Sequence, residues 1–244
     1  LRHRLRALGI RDFSQYSSYV TSDEGIDERQ HLICALTTNV SHFFREEHHF
    51  DELVMMVKAR LPDLRSGGRM RIWSAGCSNG QEPLSAAMAI LERYPEVSKL
   101  DLRILATDID TKVISVARAG IYRERSLSDL PDGYRSKYFD RLDVAQSEQQ
   151  FKANALVMGL IRHNELNLLG KWPMRKKFDV IFCRNVVIYF DLSTQEKLWP
   201  RFRQNLHDQG RLFLGHSERI ITPETHGFSV ERSTSYCAAP NFAR

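Results

Sequence analysis

The sequence lacks the long apolar run that a membrane-spanning helix requires. Such a helix needs about 20 consecutive apolar residues, whereas Ala155 to Ile161, among the longest apolar runs, is only as long as a strand. No signal peptide is visible either. We therefore expect a protein that is not inserted in a membrane and that works in the cytoplasm.

Cysteine is scarce, and metal-binding spacings are missing. The chain has no C-x-x-C pair, which argues against a zinc ribbon or a dithiol redox motif and favours thiols in a reducing compartment. His48-His49 stands beside Glu46-Glu47 without the H-E-x-x-H spacing, and adjacent residues do not share a helix face. We predict no metal site. The four cysteines are Cys34, Cys77, Cys183 and Cys237.

Internal repeats and low-complexity segments are also absent, and the bulk composition is that of a globular protein. The 244 residues suffice for one large domain or for a domain with a small companion. A hydrophobic content of 42% supports a core, and 27% charged residues is ordinary. The net charge of +5 favours acidic partners.

The first 65 residues are predicted to form a small helical domain. Leu1, Leu5 and Leu8 have the i, i+4, i+7 spacing of one helix face, and Gly9 is expected to end that helix. Because the chain begins inside this pattern, we expect the domain to be truncated at its start. The stretch Ser66-Gly67-Gly68 marks the predicted boundary.

From residue 66 to 244 the pattern alternates between strands and helices. The runs "RIWSAG", "LRILATD", "KFDVIFCRN" and "GRLFLGHS" indicate strands, with helical patterns between them. This alternation predicts an α/β domain with a mostly parallel sheet covered on both faces. Residues 140–166 break the alternation, and we interpret them as a small inserted β unit.

The stretch "IWSAGCSNGQEP" allows two interpretations. It contains G-x-S-x-G, the turn that presents a serine nucleophile in α/β-hydrolases. Ser78 would then need an acid, Asp179 or Asp191, and a histidine, His216. However, only one predicted strand precedes the turn, and the HGGG-type oxyanion segment is missing. The hydrolase is therefore the weaker interpretation.

The second interpretation is a glycine turn that binds a nucleoside. Asp108 ends the next predicted strand, where a ribose-binding carboxylate is expected. The fingerprint G-x-G-x-x-G is absent: the loop has only Gly76 and Gly80, and Glu82 would repel a pyrophosphate. S-adenosylmethionine, which has a ribose and two cationic groups but no phosphate, fits this loop. A helix N-cap remains the alternative role for Asp108 and Asp110.

Five stretches taken together identify a resemblance to a known family. In order, they are "ALTTNVSHFFRE", "WSAGCSNGQEPLS", "ATDID", "FCRNVVIYF" and "LFLGHSE". They resemble the chemotaxis receptor methyltransferases (CheR). The family often has an acid where this chain has Gln81, and often threonine where it has Ser41.

The resemblance implies a class I S-adenosylmethionine-dependent methyltransferase, Rossmann-like, behind a small helical domain. It implies methyl transfer to glutamate side chains of chemoreceptors, giving glutamyl methyl esters and S-adenosylhomocysteine. Together with the loop interpretation, it implies cofactor contacts from Asn39, Ser41, Arg45, Gly76, Glu82, Asp108, Asn167, Leu168, Arg184 and Asn185.

The implied chemistry needs little acid–base assistance. A glutamate is already ionised at neutral pH, so catalysis reduces to alignment and the exclusion of water. An arginine can bind one carboxylate oxygen and leave the other to attack. Arg45 and Arg184 are candidates, and the resemblance favours Arg45 as the catalytic one. Tyr189 is the second catalytic candidate, with packing at the rim as its alternative role.

Rival functions lack their usual motifs. A nucleic-acid methyltransferase typically has an N-P-P-Y-like segment or a Pro-Cys pair, whereas this chain has "NVVIY" at 185–189, and Cys183 follows Phe182. No aromatic and basic residues alternate as for single strands. We therefore expect no nucleic-acid partner. A methyltransferase for another small substrate and a degenerate domain that only senses the cofactor stay open.

The expected partner is the cytoplasmic helical region of a methyl-accepting chemoreceptor. Arg2, Arg4 and Arg6 form a basic helix surface that we predict to dock the acidic receptor. Some family members bind a receptor tail through a β insert, for which residues 159–162 are only a faint candidate. We expect a monomer.

Overall fold

The computed structural model of the chain describes residues 1–36, 41–143 and 148–240. Among them the α-helices are α1 (Arg2–Leu8), α2 (Phe13–Thr21), α3 (Ile26–Leu36), α4 (His48–Arg65), α5 (Gln81–Arg93), α6 (Thr111–Ala119), α7 (Tyr134–Tyr138), α8 (Ala155–Met158) and α9 (Leu192–Asn205). The strands are β1 (Met70–Ala75), β2 (Leu102–Asp108), β3 (Ile121–Arg123), β4 (Phe139–Leu142), β5 (Gln150–Ala153), β6 (Ile161–Glu165), β7 (Phe178–Cys183), β8 (Leu206–Leu214), β9 (Phe228–Arg232) and β10 (Ser235–Ala238).

The main sheet has seven strands in the order β6-β2-β1-β7-β8-β10-β9. The pairs from β6 to β8 are parallel, and β10 runs antiparallel to both β8 and β9. Alternate residues of β1 enter different cores: Ile72 packs with α4 and α5 on one face, and Trp73 packs with α9 on the other. The predicted mostly parallel sheet, covered on both faces, is confirmed.

Helix α4 belongs to the sheet domain, so the predicted boundary at residue 65 is wrong. Its apolar stripe, including Leu53, Val57 and Leu61, lies in the same core as β1 and α5. The first three helices instead enclose a separate small cluster around Leu5 and Tyr16. The glycine signal after residue 65 marks only the end of a helix, because an amphipathic helix is assigned by the surface that it covers.

The inserted β unit also lies elsewhere than predicted. It is an antiparallel sheet in the order β3-β5-β4, so it occupies residues 121–153 rather than 140–166. Two apolar runs caused the error: residues 155–158 form the short helix α8, and residues 161–165 form β6, which pairs with β2 in the main sheet. The tail-binding candidate at 159–162 therefore lies outside the insert.

Arg4 is engaged inside the helical unit and does not present a docking charge. Its Nε and Nη2 donate to Glu28 Oε1 and Oε2 at 2.9 and 2.5 Å, and the Tyr16 hydroxyl donates to the same carboxylate at 2.7 Å. The Arg4 hydrogen bond is the main reason that the pKa of Glu28 is lowered, while burial and Glu28 raise the pKa of Tyr16 to about 12. Arg2 and Arg6 are exposed and remain candidates for docking.

Across the described residues, no helix combines the length and the apolar character that crossing a bilayer requires.

Candidate active site

The candidate site lies where the parallel strands end. The loops after β1, β2, β6 and β7 follow the carboxyl ends of neighbouring strands, which is where α/β sheets bind ligands. The segment Ser41–Glu47 joins them through hydrogen bonds to α5 and to the strand ends. Asn39 was predicted to contact the cofactor and falls outside the described residues, while Ser41 is half-buried at the start of this segment.

The loop after β1 requires its two glycines. Gly76 has φ +92°, and a Cβ there would lie 2.3 Å from Val186 Cγ2. Gly80 has φ +88°, and a Cβ there would lie 2.9 Å from Ala117. The backbone N–H of Gly76 donates to Thr107 O at 2.8 Å, which ties the loop to β2. This bare backbone beside a helix N-terminus is consistent with the predicted nucleoside-binding turn.

Asp108 links the loops that follow β1 and β2. Its Oδ2 accepts from the N–H of Ser78 at 2.8 Å, and its Oδ1 accepts from the N–H of Asp110 at 3.0 Å. Burial raises the pKa of the Asp108 carboxyl, although those two N–H groups lower it in part. The cap of α6 is Asp110, whose carboxylate accepts from Lys112 N. The two acids therefore have different roles, and Asp108 remains a candidate for the ribose.

The hydrolase interpretation fails on geometry. Asp179 accepts a hydrogen bond from Arg71 N at the start of β1. Ser78 follows the other end of that strand, so the two side chains lie at opposite ends of the parallel strands. Asp191 caps α9 through Thr194 N. His216, the histidine that this interpretation needs, is exposed and hydrogen-bonds Glu46. Burial raises the pKa of the Cys77 and Cys183 thiols well above the ordinary value, so neither thiol is poised as a nucleophile.

Arg184 is a buried residue whose side chain connects the loop after β7 with the segment Ser41–Glu47 and with α5. Its side chain is 2% exposed, with Nε 3.1 Å from Glu46 Oε2 and Nη1 3.4 Å from Glu82 Oε2. Its Nη2 donates to the backbone oxygen of Arg45, and its guanidinium lies 5.4 Å from the centre of the Phe50 ring. Every nitrogen of this guanidinium contacts the protein, so the half-buried Arg45 remains the better candidate for binding an acceptor carboxylate.

Glu46 fastens the segment Ser41–Glu47 to two strand ends. Its Oε1 lies 2.9 Å from His216 N and 3.0 Å from His216 Nδ1, beyond β8, while Oε2 meets Arg184 beyond β7. Burial opposes ionisation of Glu46, but Arg184 and His216 outweigh it and lower the pKa. The left-handed conformations of Phe44 and Glu46, both at φ +54°, flank Arg45. Such strain persists where surrounding contacts impose it, often at functional sites.

Glu82 lies in the first turn of α5 and, together with Glu46 and the backbone of Arg45, contacts Arg184. The Ser74 hydroxyl donates to its Oε1 at 2.6 Å. Burial raises the pKa of Glu82, and the nearby Arg184 lowers it in part. A cation brought near Glu82 would favour its ionised form. This acid therefore suits a positively charged ligand.

The loop after β7 is organised by Glu218, for which sequence reasoning predicted no role. This carboxylate is 4% exposed and accepts from the backbone N–H groups of Asn185, Val186, Ile188 and Gly215, at 2.6 to 3.2 Å. The only sequence signal was an acid at the end of the "LFLGHSE" stretch. A carboxylate satisfied by four backbone donors fixes the loop that carries two predicted site residues.

The remaining predicted residues lie at the margins of the site. Leu166 N donates to Asp108 O at 2.9 Å, which places the exposed Asn167 and the buried Leu168 beside the end of β2. Asn185 adopts φ +59° within the loop that Glu218 holds. Tyr189 is 58% exposed, so its hydroxyl can meet a large acceptor.

Comparison with known proteins assigns the chain to a family. The model of the "CheR methyltransferase, SAM binding domain" matches residues 39–237. The chain belongs to the CheR methyltransferase family. S-adenosylmethionine is its cofactor, as the sequence predicted, and its fold is that of a class I methyltransferase.

Relatives of this CheR chain cover nearly its whole length. It is 46% identical over 240 residues to a probable chemotaxis protein methyltransferase of Rhizobium etli, which covers 97% of this chain and 88% of that protein. It is 38% identical over 237 residues to the chemotaxis protein methyltransferase of Escherichia coli, with coverages of 97% and 80%. The Salmonella typhimurium protein of that name is 37% identical over 244 residues, with coverages of 100% and 82%.

The charges of the site fit S-adenosylmethionine. The carboxylates of Glu46 and Glu82 share the one guanidinium of Arg184, and the third carboxylate, Asp108, accepts hydrogen bonds from backbone N–H groups. This excess of acid suits a ligand with an ammonium and a sulfonium, and it disfavours a pyrophosphate. Among the described residues, no group of three or more His, Cys, Asp or Glu side chains is placed to hold a metal ion.

Proposed function

We propose that the protein methylates glutamate side chains of chemoreceptors, giving glutamyl methyl esters and S-adenosylhomocysteine. Membership of the CheR family supports the chemotaxis role. The structural observation that carries the acceptor assignment is the cluster of Arg184, Glu46 and Glu82, which holds the backbone of Arg45 at the end of β7. A cationic side chain on a backbone held in this position suits an anionic acceptor.

The protein's share of the reaction is positioning. When bound, S-adenosylmethionine would supply an activated methyl group, with S-adenosylhomocysteine as the leaving group. Arg45 binds one oxygen of the acceptor carboxylate and directs the other towards the methyl group. No general base is required, because the acceptor is ionised at neutral pH.

Two other parts of the chain complete this arrangement. The segment Ser41–Glu47, fastened through Glu46, covers the strand ends and helps to exclude water. The exposed Tyr189 can orient the acceptor through its hydroxyl. Because the receptor's methylated region is helical and cytoplasmic, we place the reaction in the cytoplasm, and Arg2 and Arg6 provide exposed charge for the encounter.

Methyl transfer to a receptor fragment tests the proposal. The protein is incubated with S-adenosylmethionine carrying a labelled methyl group and with a receptor cytoplasmic fragment, RNA or DNA. We expect label on the protein fragment alone, released by mild base as methanol, because a carboxyl methyl ester is base-labile. Label on nucleic acid, or cofactor binding without any transfer, would contradict the proposal. The second result would favour a domain that only senses the cofactor.

A further inference from the structure

A second charged site lies at the opposite end of the parallel strands. A groove of about 300 Å³ opens near the starts of β1, β2 and β6. Half of its ten lining residues are cations, and none is Asp or Glu. We call it the basic groove, and its cations are Arg71, Arg103, Arg162, Arg175 and Lys176. Apolar side chains, including Leu105 and Met174, lie between these charges.

The strand register forces some of these cations together. Arg71 on β1 is the direct partner of Arg103 on β2, and like charges in such pairs destabilise a sheet. Asp101 offsets Arg71, with a closest contact of 2.8 Å. Arg103 Nη1 instead donates to the Leu100 and Leu102 carbonyls, which accept hydrogen bonds without supplying a negative charge. The groove therefore keeps an excess of positive charge.

The groove is open because β6 is not followed by a helix. Strands β1, β2 and β7 lead to α5, α6 and α9, whereas residues 166–177 have no helix among them. Trp172 in this segment packs edge-on against Trp73, with ring centres 4.9 Å apart, and Arg201 lies 4.2 Å from its ring centre. Trp172 is therefore engaged by the protein's own side chains.

We propose that the basic groove binds an acidic segment of the chemoreceptor substrate, as a docking site separate from the site of methyl transfer. This inference rests on the proposed function. The charge excess matches carboxylates, and the apolar floor matches the hydrophobic side chains that accompany them on a folded protein. A concave groove fits a protruding protein segment better than it fits the flat surface of a bilayer. A single-stranded nucleic acid would need aromatic surfaces on which its bases could stack.

The distance between the two sites allows both to be occupied together. The six residues of β1 separate them, about 20 Å at the rise of a strand. A receptor helix of about 20 residues spans 30 Å, so one receptor can reach the groove and the transfer site together. Binding at the groove would raise the local concentration of acceptor glutamates without touching the cofactor.

Charge reversal in the loop beside β6 tests this docking site. The variant carries Arg175→Glu and Lys176→Glu, two exposed positions, in the otherwise unchanged protein. We expect KM for a receptor cytoplasmic fragment to rise about five- to tenfold at low ionic strength, and the direct affinity of the fragment to fall equally. The turnover at saturating receptor and the affinity for S-adenosylmethionine should stay unchanged. Salt should reduce the difference.

The matched control reverses two exposed lysines that lie on helices outside the groove, Lys58→Glu on α4 and Lys197→Glu on α9. It makes the same change in net charge, so we expect less than about a twofold effect on KM. Equal KM and equal fragment affinity in the two variants would overturn the docking site. The docking site would also be overturned if the groove variant kept the receptor KM of the unaltered protein but no longer bound vesicles of three parts phosphatidylcholine to one part phosphatidylglycerol. Loss of binding to single-stranded RNA at an unchanged receptor KM would overturn it as well.

The two proposals fail in different ways. Absence of receptor methylation by the unaltered protein contradicts the proposed function. The groove is then still judged by direct binding of the receptor fragment to the two variants. Normal methylation with no selective effect of the groove variant contradicts the groove alone.

Discussion

At the carboxyl ends of the parallel strands the conspicuous charges are acids, whereas near the amino ends they are arginines. Asp108 and Glu218 accept hydrogen bonds from backbone N–H groups of the loops around them. Arg103 and Arg162 donate to backbone carbonyls near the strand starts. These two acids and two arginines are therefore satisfied by backbone groups rather than by opposite charges.

This difference shows how one sheet can serve two ligands of opposite charge. Backbone groups supply hydrogen bonds but no net charge, so the acids keep their negative charge and the arginines keep their positive charge. The carboxyl end then favours a cationic cofactor, and the amino end favours an acidic partner. Arg184 is the exception, because it neutralises part of the acidic end and fixes Arg45 there.

The largest expected effect comes from removing the cation that faces the acceptor. Arg45→Ala should lower turnover by about 10²–10³-fold, comparable with the loss of one preorganised charged donor. Turnover at saturating receptor and cofactor measures this. Arg2→Ala, which removes an exposed arginine of α1, serves as the control. A turnover within about threefold of the parent would remove Arg45 from the catalytic site.

The second prediction concerns the carboxylate that holds the loop after β7. Glu218→Gln leaves four backbone N–H groups with one oxygen and an NH₂ group, so we expect the free energy of unfolding to fall by about 2–4 kcal/mol. Urea denaturation measures the change. Glu231→Gln on β9, a partly exposed position, is the control and should be nearly neutral. An equally small change at Glu218 would show that the loop is held by other contacts.

The third prediction concerns the predicted ribose ligand at the acidic end. Asp108→Asn should weaken the binding of S-adenosylmethionine by about 1.5–3 kcal/mol, the range for hydrogen bonds to charged groups. Calorimetry with the intact cofactor measures the affinity, and circular dichroism checks the fold, because Asp108 also ties two loops together. An unchanged affinity in a folded variant would exclude Asp108 from the cofactor site.

The acidic end should also show opposite pH trends for stability and for cofactor binding. Burial raises the folded-state pKa of Glu82 above its ordinary value of 4.5, so the folded protein holds this proton more tightly than the unfolded chain. Its contribution to stability is present at low pH and declines as the pH rises through the raised pKa. A cationic cofactor prefers the ionised carboxylate. The affinity for S-adenosylmethionine should therefore increase as the pH rises through the raised pKa of Glu82, by at most about tenfold per pH unit.

Calorimetry from pH 5 to pH 8 on the parent and on Glu82→Gln separates this effect from titration of the cofactor itself. The variant should show a flatter dependence of affinity on pH. Parallel curves for the two proteins would mean that Glu82 does not exchange its proton when the cofactor binds.

The sequence predicted what depends on local spacing and missed what depends on distant contacts. Gly76 and Asp108 were found because a turn and the next strand end stand at a characteristic separation. Glu46 and Arg184 are 138 residues apart, and no local pattern shows that their side chains meet. The placement of α4 and of β6 failed for the same reason, since amphipathic runs do not specify which surface they cover. The basic run "KWPMRKK" was visible but uninterpreted until the sheet register set Arg103 and Arg162 beside it.

The smallest expected effect compares the basic groove with a basic surface that has no concavity. Arg2 and Arg6 are exposed on α1, which is only seven residues long, so reversing both to Glu should change the encounter with the receptor and little else. We expect methylation to slow by about twofold at low salt and to recover at high salt, because exposed charges mainly affect association rates. Arg4→Gln is the informative companion: it breaks the pair with Glu28, so it should loosen the first three helices without a selective effect on receptor encounter. If the Arg2 and Arg6 reversal slowed methylation more than the groove variant does, the main docking surface would be the helical unit, and the sheet's amino end would lose its proposed role.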